Sequence, residues 1–409
     1  MTTHDPARTA PDGRPRARGI GVPLTGEPGP WNAITDVPGL EVGYVTLVEG
    51  HGPLVVGQGP VRTGVTAVLP RGRSGVGVPC AAGWYTLNGN GEMTGTTWID
   101  EVGALAMPVT ISNTHAVGAC HTGAVRWVGL RHPALATQWL LPVAAETWDG
   151  YLNDINGEHV RPEHAVEALD AAASGPVVEG SVGGGTGMTC YSFKGGSGTA
   201  SRVVGFGSSR FTVGAFVQAN FGDRAELTVA GVRVGSRLSD DDPMSDPAWL
   251  VRDGERAGRP RPDAAGPAGG AGSVIVVVAT DAPLLPGQCT ALARRVPLGL
   301  ARTGTAGGHF SGDIFLAFST ANAGALHSRI PVAAPTDDDL DTLRFVPWGF
   351  MDPFFTAVVE AVEEAVLNTL VAGVEMVGRD GHRSPALPHD AVRTALAQAG
   401  VLVGADGDR

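Results

Sequence analysis

The sequence is poor in the residues that usually announce a mechanism. Its four cysteines, Cys80, Cys120, Cys190 and Cys289, lie far apart and form no CxxC pair. They read as reduced, buried small hydrophobes rather than a disulfide framework or a thiolate site. There is no HExxH, and His115/His121 and His159/His164 are spaced too widely for one helical turn to present both to a metal. GxxxxGK[ST], a GxGxxG that opens a helix after a strand, and a GxSxG elbow are absent, which argues against a phosphate cradle and an α/β-hydrolase serine. The expectation is no metal and no cofactor. No apolar run reaches membrane-spanning length, and "MTTHDPARTAPDGRPRARG" lacks the apolar stretch of a secretory signal, so the expected location is the cytoplasm. Charged residues make up only 17%, with a net charge of -12. No basic stripe offers itself to nucleic acid or to a membrane surface. Lysine is almost missing: of 29 basic residues all but Lys194 are arginine. A GC-rich coding bias accounts for that, and makes the surviving lysine noteworthy.

What the chain has in excess is glycine, 60 of 409 residues, about twice the usual share. The glycines interleave with Val, Ile and Leu runs, which favours tight turns and close backbone approaches over disorder. Residues 1–30, rich in Pro, Gly and Arg, read as a disordered tail ahead of a single domain over 31–409. Strands are expected at 63–70, 104–115, 273–280 and 312–320, and a hairpin at 211–235 joined by "NFGDR". Helices are expected at 118–132, 162–174, 352–373 and 389–400, and another at 288–304 interrupted by proline. Residues 236–272 have the composition of a mobile surface linker. Strands and helices mix without regular βαβ spacing, so a layered α+β sandwich is the expected class.

One position in this pattern is unusual. In "GPAGGAGSVIVVVATDAPLLP" a Gly/Ala/Pro run ends at Gly272, and a dense strand begins with Ser273. On spacing alone Ser273 is either an ordinary first strand residue or a nucleophile. A serine hydroxyl needs a base, and a serine that begins a chain carries one: its own α-amine titrates near neutrality. Creating that amine requires a cut between Gly272 and Ser273. Gly272 tolerates a strained scissile backbone, and the strand behind Ser273 holds the hydroxyl rigidly.

Five ordered blocks, "TLNGNGEMTGTTWIDEVG", "AETWDGYLNDINGEHV", "VGGGTGMTCYSFKGGSGTASRVV", "GSVIVVVATDAPLLP" and "GLARTGTAGGHFSGDIFLAFSTAN", together resemble the L-aminopeptidase/D-esterase and β-peptidyl aminopeptidase family over roughly residues 34–389. The resemblance implies a four-layer αββα sandwich with N-terminal-nucleophile-like layers but different connectivity. It implies a precursor that cuts itself into α (1–272) and β (273–409) chains, Ser273 as nucleophile, and a homotetramer of αβ units. The implied reaction releases N-terminal residues from peptides, aminoacyl amides or esters.

Other residues carry over singly. Asn220, in "VQANFG", matches the oxyanion donor, though asparagine also serves turns. Ser311 and Asp313, in "SGDIF", match a Ser-x-acid pair beside the nucleophile; a strand-edge charge is the plainer reading of Asp313. Glu146 matches the residue that receives the substrate amine, and Trp148 stands where relatives carry Tyr. Lys194 aligns with a lysine near the nucleophile in related nylon-oligomer hydrolases, or is a solvated loop lysine. The glycine block 183–198 lets backbone pass close to the nucleophile, or makes turns, or both. Acyl transfer of the ornithine acetyltransferase type and an uncleaved, non-catalytic homologue are the rival readings.

Overall fold

The computed structural model describes residues 5–245, 249, 272–328, 330–331 and 333–404. In chain order the strands of the described residues are β1 (Glu41–Glu49), β2 (Val61–Leu69), β3 (Cys80–Thr86), β4 (Ala104–Leu105), β5 (Val109–Asn113), β6 (Val143–Thr147), β7 (Thr189–Cys190), β8 (Phe193–Lys194), β9 (Gly196–Phe206), β10 (Ser209–Asn220), β11 (Thr228–Val229), β12 (Val232–Arg233), β13 (Ser273–Thr280), β14 (Gly312–Ser319), β15 (Met376–Val377) and β16 (Arg383–Ser384). The α-helices are α1 (Thr96–Val102), α2 (Val117–Arg131), α3 (Pro162–Asp170), α4 (Pro286–Ala293), α5 (Val296–Arg302), α6 (Asp352–Val371) and α7 (His389–Gln398). Four strands form one sheet in the order β1-β2-β5-β6, and six form another in the order β4-β3-β14-β13-β10-β9.

Strand β13 shows how the layers stack. Its side chains alternate, as a pleat requires. Val274, Val276 and Val278 join a core with Val358, Val362 and Leu370 of α6. Ile275, Val277 and Ala279 join another with Val68, Val109, Ile111 and Val143 of the facing sheet. A strand covered on both faces reads as a continuous apolar run, which is what "VIVVVA" is. On the far side of the four-stranded sheet, Val65, Ala67 and Leu69 pack on Cys120, Trp127 and Leu169 of α2 and α3. The order is therefore helix, sheet, sheet, helix: the αββα sandwich. By the same alternation Ser273 shares the face of Ile275 and Val277, turned toward the other sheet.

Several expected elements differ. The hairpin at 211–235 does not form. β10 pairs antiparallel with β9 on one side and with β13 on the other, and 224–233 holds a 3-10 turn and the small β11–β12 hairpin. Glycine density concealed β9. A Cβ on Gly198 would lie 2.1 Å from the Ala365 carbonyl, so glycine is what lets α6 lie on this strand. The strand at 104–115 is two strands in different sheets, separated by Ala106, Met107 and Pro108. The proline-interrupted helix at 288–304 is two helices, with Pro297 in the first turn of α5.

Residues 5–30 are ordered, not a disordered tail. Their arginines look solvated in sequence but find buried partners. Arg16 reaches Glu179 at 2.9 Å, and Arg18 forms a forked pair with Glu364 of α6 at 2.8 and 2.9 Å. Arg202 donates to the same Glu364 at 2.7 Å and Asn32 at 2.6 Å. Of the expected linker, 236–245, Trp249 and Gly272 are described. Trp249 is buried against Trp148, Tyr151 and His382, and the rest lies outside the described residues. Among the described residues no helix is long and apolar enough to cross a membrane.

Candidate active site

Sheet register assembles the site. In the antiparallel β10–β13 ladder Asn220 stands directly opposite Ser273, and in the parallel β13–β14 ladder Ser273 is beside Gly312. The last residue of one strand and the first of two others thus meet at one sheet end. Ser273 is only 1% exposed, and its Oγ accepts a hydrogen bond from the Trp148 backbone N–H at 2.8 Å. That amide lies just past the end of β6, so the hydroxyl is reached from both sheets. An N–H on the oxygen lone pair leaves the hydroxyl proton free for a base.

Asn220 is fixed by its carbonyl end: Oδ1 accepts from the Thr189 N–H at 2.8 Å. Its NH2 end is therefore the one offered to the cavity that Asn220, Gly272 and Ser311 line together. This is not a turn asparagine, since it sits within the ladder. Ser311 donates to Asp313 Oδ1, and Asp313 is clasped by Asn88, whose amide donates to Oδ2 at 3.1 Å while its own oxygen accepts from the Asp313 N–H at 2.8 Å. Asp313 is no edge charge. β14 lies between β3 and β13, the residue is buried, and burial raises its carboxyl pKa against the lowering effect of the Ser311 and Asn88 hydrogen bonds. A Cβ placed on Gly272 would stand 3.0 Å from Ser311 Oγ and 3.3 Å from the Asn220 carbonyl. The Gly272 carbonyl accepts from the Gly312 N–H at 3.2 Å.

Glu146 lies in β6, two residues before Trp148. It does not line the cavity. It is 2% exposed, its oxygens accept from the Thr114 hydroxyl and the Glu92 N–H, and burial raises its pKa. Oε1 would lie 3.0 Å from a Cβ on Gly91, itself 3.1 Å from Gly312 Cα, which puts the carboxylate close to the start of β14 beside the nucleophile.

Lys194 is not a solvated loop lysine. It is fully buried, donates to the Met188 and Gly195 carbonyls at 2.7 and 2.9 Å, and burial lowers its pKa to about 7. Nearby Asp149, equally buried, is raised to about 7 by the same desolvation. No contact joins Lys194 to Ser273; it braces the glycine block, whose backbone it caps. Among the described residues no group of three or more His, Cys, Asp or Glu could hold a metal ion.

Sequence reasoning missed Asn88, Thr114, Thr189 and the Trp148 amide. Asn88 lies 225 residues from Asp313, and a backbone N–H has no sequence signature. The only available signal for Asn88 was its place within "TLNGNGEMTG".

The chain is similar to known peptidases over nearly its whole length. The model of peptidase family S58 matches residues 32–384. The β-peptidyl aminopeptidase BapA of Sphingosinicella microcystinivorans is 49% identical over 385 residues, 93% of this chain and 92% of that protein. BapA of Sphingosinicella xenopeptidilytica is 44% identical, with 94% and 91% covered. The structure of the L-aminopeptidase D-Ala-esterase/amidase from Ochrobactrum anthropi, described as a prototype serine aminopeptidase and a variant of the Ntn hydrolase fold, superposes with a TM-score of 0.82 at 44% identity, covering 95% of this chain and all of that one.

Proposed function

The chain belongs to peptidase family S58, and from that premise we propose that it is a serine aminopeptidase that activates itself by cutting between Gly272 and Ser273. The observation that carries this reading is the register in which Ser273, Asn220 and Gly312 meet at one sheet end, with the Ser273 hydroxyl on the Trp148 amide.

In maturation the Ser273 Oγ attacks the Gly272 carbonyl carbon, and the C–N bond breaks in favour of an ester on Oγ. The Ser273 nitrogen leaves as a free amine. Water then hydrolyses the ester, leaving the Gly272 carboxylate and the Ser273 hydroxyl. In turnover the neutral α-amine takes the hydroxyl proton as Oγ adds to the substrate carbonyl. The Asn220 NH2 stabilises the oxyanion, and the leaving amine takes the proton back as it departs. Water, activated by the same α-amine, releases the acyl group. Ser311 and the carboxylate of Asp313 orient the α-amine. Glu146, beside the nucleophile, receives the ammonium of the substrate's first residue, and Trp148 shapes the wall beside it. Lys194 holds the glycine block in place. The substrates are peptides and aminoacyl amides or esters. The enzyme works as a cytoplasmic homotetramer of αβ units, without metal or cofactor.

N-terminal sequencing and intact mass of the purified protein, beside hydrolysis of aminoacyl p-nitroanilides, test the reading. A fragment beginning Ser-Val-Ile-Val together with activity is the expected result, both lost in Ser273→Ala. One uncut chain with full activity overturns it.

A further inference from the structure

The cavity in front of Gly272 has a chemistry that the reaction at Ser273 does not use. It offers about 200 Å³ of space open to solvent, and its ionisable lining is Asp223, Glu226, Tyr151 and His309; among the described residues no lysine or arginine lines it. Its walls are aromatic: Trp148, Tyr151, Phe221 and Phe310. Carboxylates beside ring faces are what a cation seeks.

We propose that Asp223 and Glu226 form a subsite for a positive charge on the side chain of the substrate's acyl residue, so that lysine-like residues are released in preference to their uncharged isosteres. The proposal rests on the serine aminopeptidase reading and adds a substrate class to it.

Three observations carry it. First, among the described residues no lysine or arginine faces the two carboxylates across the cavity. Arg224, between them in sequence, points away: its guanidinium lies 3.4 Å over the Phe193 ring and donates to the Tyr191 and Ser192 carbonyls. Arg383 is engaged by Asp241 and Glu375. Glu226 accepts instead from the Asp223 backbone N–H at 3.1 Å, a cap on the 3-10 turn that fixes the Glu226 carboxylate beside residue 223. The neighbouring Asp242 adds a third negative charge, and burial first, then Glu226 and Asp242, raise the Asp223 pKa. Second, the cavity is a ligand site on independent grounds. Asn220, 6% exposed, turns its NH2 into it because Oδ1 is held by Thr189. Third, the acyl side is the one concerned. Gly272 lines this cavity, and its carbonyl is the one that Ser273 attacks in processing. Any acyl group attacked by the same hydroxyl enters the same space. Glu146 does not line it, so the charge met by Asp223 and Glu226 is distinct from the ammonium assigned to Glu146.

The test compares lysyl and norleucyl p-nitroanilides, in α- and β3-homo forms, on the processed wild type, Asp223→Asn, Glu226→Gln and the double variant. Glutamine at 226 keeps an acceptor for the Asp223 N–H. The expected result is a wild-type kcat/KM at least tenfold higher for the lysyl compound. In the double variant that preference falls to within about twofold while norleucyl turnover is unchanged. A preference that survives the double variant overturns the proposal and leaves the aminopeptidase reading standing. So does an equal loss on both substrates, which marks the pair as an amine site. A wild type that is processed but hydrolyses neither compound overturns both.

Discussion

Asn220 and Ser273 face each other across the β10–β13 ladder, and the Asn220 carbonyl oxygen is already taken by the Thr189 amide. The two ends of one side chain are therefore separate: one fixes the residue, the other faces the cavity.

Asn220→Asp separates them. Aspartate keeps an acceptor for Thr189 and removes the donor. The expected outcome is a protein that folds with an unchanged melting temperature to within a few degrees, and a kcat lowered about 10²–10³-fold, the usual consequence of removing one oxyanion donor. Steady-state kinetics on a p-nitroanilide beside a thermal melt checks it; loss of the fold with loss of rate would show that the Thr189 bond, not the donor, is what matters.

Gly272→Ala separates maturation from turnover. The added methyl meets Ser311 Oγ at 3.0 Å, tighter than ordinary contact, so processing slows. Once the bond is cut, residue 272 ends the other chain and the methyl no longer constrains the nucleophile. Time-resolved intact mass is expected to show delayed appearance of the two chains, and the fully cut fraction to show wild-type kcat. Unchanged processing contradicts the close fit described for Gly272.

Lys194 and Asp149 make stability depend on pH in opposite senses. Lys194 is neutral in the native state above about 7, whereas an unfolded lysine keeps its proton to about 10.4. The unfolded chain binds more protons in that window, so stability rises with pH across it. Asp149, raised to about 7, keeps in the native state a proton that the unfolded carboxyl loses near 4, so its contribution falls as pH climbs toward 7. Lys194→Met is expected to flatten the rise above pH 7. It also costs about 1–3 kcal/mol for the Gly195 carbonyl left without a donor, while the Met188 carbonyl keeps the Gly195 N–H at 3.0 Å. Melting curves from pH 4 to 10 measure both, and an undiminished rise above pH 7 in the variant would assign that slope elsewhere.

Glu364 ties together what the cut separates. It lies in α6, on the C-terminal side of the cut, while Arg18, Asn32 and Arg202, which all donate to it, lie on the N-terminal side. Burial pushes its carboxyl pKa up, and the arginine charges outweigh that and hold it low, so the pairing is present at neutral pH and lost only in strong acid. Glu364→Ala removes the carboxylate of Arg18 and leaves Arg202 with only the longer Glu360 pair at 3.4 Å, at up to about 3–5 kcal/mol. The processed variant is expected to release its two chains at lower urea than the wild type, read by size exclusion; equal midpoints would show that the apolar core alone holds them.

Much of the layering and the nucleophile could be read from the chain, and the reasons are local. "VIVVVA" announces a strand buried on both faces, and a hydroxyl before it with glycine ahead is a short-range signal. The helices at 352–371 and 389–398 follow from apolar periodicity. What escaped was non-local. β10 finds its partners in a glycine-rich strand before it and in a strand more than fifty residues after it, so the nearest apolar run, at 228–233, offered a false hairpin. Arg16 and Arg18 look like tail residues until Glu179 and Glu364 are seen beneath them. The spacing of Ser311 and Asp313 suggested a shared face, but nothing in it pointed to Asn88.

Because β13 is flanked by β10 and β14 along its length, the amino group that the proposed cut frees at Ser273 would stand between two strands at the sheet end. It follows that no affinity tag, fluorophore or acetyl group can be carried on that end without displacing a neighbouring strand. A gene reopened at this junction, with the old termini joined and the initiator methionine trimmed, would deliver the working amine directly.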